Sequence, residues 1–224
     1  MDRKSDNIKS AMQRNRDSIL TSLFARSVSV RITPHLADTK ITPMQITAMG
    51  LVLGLSAAFL GSYSNWFLCI LAALLIEASH VLDCVDGELA RITDRGNPFA
   101  AAMDPISDRV KDIAIILASY INARNMQIFD LSAFSISVLA IITLGVWLLY
   151  LYIVDAHLNP ARKQKAANES GDQKRLYLGL YDLFIYGSIV FLMFGVFEYF
   201  IIYIVIISMA AIPLQIYRLK KITK

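Results

Sequence analysis

Charge is scarce in this chain: Asp, Glu, Lys and Arg make up 18% of its 224 residues, against about 25% in soluble domains. Cysteine is scarcer still, with only Cys69 and Cys84, both inside apolar runs. Two thiols so placed exclude a disulfide scaffold, which needs more of them and an oxidising compartment. The three histidines, His35, His80 and His157, are isolated from one another, so no His–Cys cluster offers a soft metal site. No internal repeat and no low-complexity tract is present. Residues 1–15 are polar and charged, so no cleavable signal peptide is expected. What abounds is apolar: 56% of the residues, with a mean hydropathy of +0.51. These figures exclude a disordered chain, argue against a soluble globular domain and point to a polytopic membrane protein. The net charge of +4 is what the positive-inside rule produces. It is no nucleic-acid footprint, and no nucleic-acid partner is expected.

The expected fold is all-α. Apolar runs long enough to cross a bilayer recur at about residues 44–63, 66–92, 98–121, 131–154, 176–196 and 200–217. Six spans follow. Lys and Arg crowd the N-terminal segment, the loops after spans two and four, and the tail, whereas the three opposite loops contribute only Arg124. Both termini should therefore be cytoplasmic, in a plasma (inner) membrane protein. Ahead of the spans, Ile19, Leu20, Leu23, Phe24 and Val28 recur at helical spacing amid charged residues. This predicts an amphipathic helix lying in the interface and ended by Pro34. Thr42 and Pro43 read as N-cap and first residue of span one. The organisation is thus a cytoplasmic N-terminus with interfacial helix over 1–41, a six-helix catalytic domain over 42–217 and a basic tail over 218–224.

Acid lies where hydrocarbon is expected. Span two holds Glu77, His80, Asp83, Asp86, Glu88 and Arg91; span three holds Asp104, Asp108, Arg109, Lys111 and Asp112. Ionisable residues in a span are costly and mark function by default. Asp83 and Asp86 are i, i+3, on one helical face. Asp104, Asp108 and Asp112 form a second stripe. The link between the spans is short, so they make a hairpin, with Asp86 about 12 Å and Asp104 about 10 Å from it along their helices. The two acidic faces can meet at one depth.

Meeting carboxylates repel unless some are protonated or cations lie between them. All-oxygen ligands favour Mg²⁺, Mn²⁺ or Ca²⁺ over Zn²⁺. A paired-metal site suits phosphoryl chemistry, and a carboxylate left partly free can deprotonate an alcohol. Gly87 removes a side chain where a nucleotide or phosphate can pack, and Arg91 is placed to meet phosphate or an acid.

Asp83-Cys-Val-Asp86-Gly87-Glu-Leu-Ala90-Arg91, followed by Asp104-Pro-Ile-Ser-Asp108, resembles the signature of the CDP-alcohol phosphotransferase family, D-x2-D-G-x2-A-R-x8-G-x3-D-x3-D. All four aspartates, the first glycine, the Ala-Arg pair and the spacings match. Ala100 stands where the second glycine belongs, a position at which the family packs two helices closely. The resemblance implies transfer of a substituted phosphate, phosphatidyl or polyol-phosphate, from a CDP-linked donor to a hydroxyl acceptor, with release of CMP. It implies two divalent ions, Mg²⁺ or Mn²⁺, held by Asp83, Asp86, Asp104 and Asp108, with Asp108 also the base. It implies that Gly87 and Arg91 contact the CDP moiety, and that the enzyme is a homodimer. Arg31-Ile-Thr, Ile41-Thr42-Pro43-Met-Gln45-Ile-Thr47 and Asp108-Arg109-x-x-Asp112 look like di-inositol-phosphate-phosphate synthases. Asp104-Pro105 with Asp108-Arg109-Val110 looks like phosphatidylglycerophosphate synthases. No attached cytidylyltransferase domain is visible, so the donor is expected from another protein.

Plainer roles compete. The four aspartates can pair with Arg91, Arg109 and Lys111, although their joint spacing makes that reading improbable. For Asp112 and Glu88 a structural pair is favoured over ligation, and for Glu77 a protonated or hydrogen-bonded contact between helices. Arg109 and Asp112 are candidates for binding the acceptor, Arg109 at its phosphate, or Arg109 can simply neutralise Asp112. Thr42 and Pro43 can edge the nucleotide pocket or only cap a helix. His80 and Cys84 read as packing residues, and Gly50 with Gly54 as a helix-packing pair. The rival functions are a divalent-cation transporter or channel, whose path needs polar residues to the far side, and a homologue disabled at Ala100.

Overall fold

A computed structural model describes residues 18–93, 95, 98–159 and 179–222. The described residues are 90% helical and form no strand. Two short helices come first, α1 (Ile19–Leu23) and α2 (Ala25–Ala37). Long helices follow: α3 (Pro43–Gly61), α4 (Trp66–Thr93), α5 (Pro98–Met126), α6 (Ala133–Tyr152), α7 (Leu180–Met193) and α8 (Phe200–Ile222). Helix α6 continues as a π-helical turn, Ile153–Leu158. Four segments are long and apolar enough to cross a membrane: Pro43–Gly61, Trp66–Thr93, Ala133–Leu158 and Phe197–Ile222. The chain is a multi-pass membrane protein. Helix α5 has the length, but the charges between Asp104 and Asp112 load its first half. Helix α7 is described over only 14 residues; the expected start of that span, 176–178, lies outside the described residues, as do residues 1–17 and the polar loop at 160–178.

Local chemistry explains the helix ends. Thr42 and Gln45 form a reciprocal capping box, the Gln45 amide donating to Thr42 Oγ1 at 3.3 Å and the Thr42 amide to Gln45 Oε1 at 2.9 Å, with Pro43 in the first turn. Gly195, at φ +67°, turns the chain between α7 and α8. The expected stop at Pro34 is corrected: α2 runs through it to Ala37. Proline removes one helical N–H, but α2 lies along α4, where Ala25 is completely buried beside Val81 and Val85. That packing carries the helix past the break. The N-terminal stretch is also two helices rather than one, parted at Phe24.

The main core joins α3, α4, α5, α6, α7 and α8 around Trp147, whose ring stacks on Phe184 with centroids 4.3 Å apart. Phe184 meets Phe200 in turn, at 5.5 Å. Large apolar side chains also cover the outside: Phe67 is 70% exposed, Phe59 63% and Ile141 70%. In water such a surface is an aggregation hazard; in lipid it needs no cover. Helices α1 and α2 share this inversion. Leu23, Phe24 and Val28 point outward, while Ser29 and Thr33 are fully buried against the bundle.

Candidate active site

Helices α4 and α5 bring the acids together. Asp83, Asp104 and Asp108 each offer a carboxylate oxygen, and these oxygens lie within 4.8 Å of one another. They open on a cavity of about 430 Å³, which Gly87, Arg91 and Arg109 also line. Arg26 and Arg218 add two more guanidinium groups to the wall, and Tyr181 and Asp182 come from the start of α7. A methyl built on Gly87 would meet only Arg91 Nη1, at 3.4 Å. This glycine therefore leaves room beside the arginine rather than permitting a special backbone.

The fourth aspartate stands apart from the trio. Asp86 is 5% exposed, and Oδ2 accepts the Thr47 hydroxyl at 2.5 Å. The capping box at Thr42 thus starts the helix that carries Thr47 to Asp86. Neither Thr42 nor Pro43 is among the residues lining the cavity; both serve the helix start.

The stripe on α5 divides as well. Asp112 turns away from the trio, fully buried. It accepts from Arg109 Nη1 at 2.8 Å and Trp147 Nε1 at 3.2 Å. Arg109 also lies 3.5 Å from Asp155, in the π-helical turn, and 5.9 Å from the centroid of the Tyr181 ring. Arg109 therefore both neutralises Asp112 and faces the cavity. Glu88 is a second locked acid: Oε1 accepts from Arg26 at 2.8 Å and Ser29 at 2.7 Å, and Oε2 from Thr33 at 2.6 Å. These are the structural pairs expected of Asp112 and Glu88. Glu77 Oε2 is buried with no hydrogen-bond partner among the described residues.

Four participants were not evident from spacing. Lys111 places its ammonium 2.8 Å from Asp108 Oδ1 and 3.6 Å from Asp83 Oδ1. Thr47 holds Asp86. Asp182 takes hydrogen bonds from Ser18, Thr21 Oγ1 at 3.1 Å and the Gly179 amide at 3.2 Å, docking α1 on α7. Thr21 Oγ1 also lies 3.1 Å from His80 Nε2, on the cavity wall. Apart from Gly179 to Asp182 and Lys111 to Asp108, each three residues apart, these links join residues far apart in sequence, and the clue to Lys111 is Gly54. A methyl there would fall 2.8 Å from Lys111 Cγ and Cδ. Gly50, by contrast, does pack helices: its carbonyl accepts Ser79 Oγ at 2.8 Å.

The family model for CDP-alcohol phosphatidyltransferase matches residues 40–217. The chain belongs to that family. It is 34% identical over 111 residues to a "Bifunctional IPC transferase and DIPP synthase" of Aquifex aeolicus, covering 50% of this chain and 25% of the relative. It is 35% identical over 86 residues to an "Archaetidylinositol phosphate synthase" of Pyrococcus horikoshii, covering 38% of this chain and 44% of the relative. The chain thus spans less than half the length of these curated relatives. The oxygen-only trio fits a hard divalent ion, the kind of cofactor on which the family generally depends.

Proposed function

We propose that this protein is a membrane transferase that moves a substituted phosphate from a CDP-alcohol to the hydroxyl of a polyol-phosphate acceptor and releases CMP. The observation that carries the proposal is the meeting of Asp83, Asp104 and Asp108 on one cavity beside Gly87 and Arg91. The relatives' names favour inositol-phosphate chemistry at the acceptor, and Arg26, Arg109 and Arg218 on the wall suit a phosphate there. Six spans and the N-terminal helices α1 and α2 house the site, with both termini and the cavity mouth on the cytoplasmic side of the plasma membrane, in a homodimer.

In the transfer, the acceptor oxygen bonds to the donor phosphorus that bears the alcohol. The bond from that phosphorus to the CMP oxygen breaks, and the hydroxyl proton passes to a carboxylate oxygen of Asp108. Gly87 and Arg91 receive the CDP moiety. Asp83, Asp86, Asp104 and Asp108 would hold two divalent ions, Mg²⁺ or Mn²⁺, which supply charge neutralisation at the phosphates. A cation path is the weaker reading. Toward the far end, Ser119 Oγ is bonded to the Phe197 carbonyl and Asn122 to Ser64 and the Gly61 carbonyl. These groups bind their neighbours and do not line the cavity.

The test is CMP release by the purified full chain with Mg²⁺ or Mn²⁺. CDP-diacylglycerol and CDP-inositol are supplied in parallel, each against a panel of alcohols that includes inositol phosphate. Metal-dependent release in one lane is expected. Silence in every lane from protein that binds CDP, or Mn²⁺ flux into liposomes carrying the protein, contradicts the proposal.

A further inference from the structure

The acid cluster carries an ammonium group of its own. Lys111 follows Asp108 by three residues on α5, about 20 Å along the helix from its first residue. A lysine within a span ordinarily extends toward the interface. This one instead points at the cluster, its side chain only 11% exposed, with Nζ 2.8 Å from Asp108 and 3.6 Å from Asp83. The stem reaches that position by crossing α3 at Gly54, where a Cβ would stand 2.8 Å from both Cγ and Cδ. Asp108 and Asp83 hold the head, and the missing side chain at residue 54 admits the stem.

A divalent ion settling between Asp83 and Asp108 meets a positive charge already in place. Like charges a few ångströms apart in a partly buried site repel strongly. We propose that Lys111 is a positioning residue that makes the two metal positions unequal: one divalent ion binds tightly at the cluster, and the second binds weakly, against the ammonium. This rests on the reading of the trio as a metal site. It adds that this chain rests with one ion and gains the second when anionic phosphates of the donor arrive to offset the charge.

Mn²⁺ binding to the purified full chain without nucleotide, followed by the electron paramagnetic resonance signal of free Mn²⁺, tests this. Lys111→Met keeps the stem and removes the charge; Gly54→Ala keeps the charge and displaces the stem. Wild type is expected to hold one tight ion. Lys111→Met is expected to hold two, the second tightened by about tenfold or more. Gly54→Ala shifts the same way by less. Thermal unfolding in detergent establishes that each variant is folded, and if Lys111→Met is not, unchanged binding by folded Gly54→Ala overturns the inference. Identical stoichiometry and affinity in wild type and Lys111→Met overturn it while leaving the metal site intact. Absence of Mn²⁺ binding by any of the proteins overturns the metal site and the inference with it.

Discussion

Glu88 and Asp112 are fully buried, yet each lies among donors: Arg26, Ser29 and Thr33 of α2 for one, and for the other Arg109, one turn earlier on the same helix, with Trp147 of α6. Asp83, Asp104 and Asp108 face one another instead, at the edge of a cavity. All five lie on the same two helices, within one stretch of sequence. A locked carboxylate has its charge matched on the spot and fastens one helix to the next. Three carboxylates that face one another around a single ammonium, that of Lys111, keep an excess of negative charge that favours further cations. Under the proposed function, the contrast separates acids that hold the fold from acids that serve the transfer, and it orders the effects of removing them.

Asp108→Asn should have the largest effect. CMP release should fall by about 10²–10⁴-fold, the range for loss of a general base, while binding of the CDP moiety survives. Parallel turnover and nucleotide-binding measurements check this, and near-normal turnover removes Asp108 from the base role. Glu88→Ala tests the other group. It removes the carboxylate to which the half-buried Arg26 and the buried Ser29 and Thr33 donate, and should cost about 1–3 kcal/mol of stability. The readout is unfolding in detergent, and CMP release per folded molecule should persist. Thr47→Val lies between the two groups. Asp86 loses a hydrogen bond to a charged acceptor, an interaction of about 1.5–3 kcal/mol. Unfolding in detergent should report a loss of about that size, and the metal concentration needed for half-maximal release should change as well. The smallest effect is expected from Ala100→Gly. Ala100 is 8% exposed in the first turn of α5, which forms with the methyl in place. Restoring glycine should change stability by about 1 kcal/mol or less, with turnover kept. A large gain in turnover would identify Ala100 as a disabling substitution.

Much of this was legible in sequence because it is local. The aspartate spacings, the hairpin of α4 and α5 and the cap at Thr42 follow from helical geometry and short connections. Helix α4 begins at the expected Trp66 and ends one residue past the expected 92. Spacing puts Asp86 and Asp112 on stripes with the trio, but it does not show that Thr47 holds Asp86 or that Trp147 joins Arg109 at Asp112, because no i, i+4 rule locates Thr47 or Trp147. Pro34 misled for a related reason, since the cost of a missing N–H is a local term and the packing of α2 on α4 outweighs it. Lys111 was visible as an intramembrane cation, but its direction depends on Gly54, 57 positions earlier. The apolar spacing before Pro34 does not show which polar groups turn inward: Arg26, Ser29 and Thr33 serve Glu88, and Ser18 and Thr21 serve Asp182, while Arg31 stays exposed.

The most direct test of the distinction is CMP release titrated with Mn²⁺ for wild type, Asp104→Asn and Glu88→Gln. If facing carboxylates hold the metal and locked ones hold the fold, Asp104→Asn abolishes release or moves its Mn²⁺ requirement far upward. Glu88→Gln then keeps the wild-type requirement. An unchanged Mn²⁺ requirement in Asp104→Asn, or the same displacement in both variants, would contradict it.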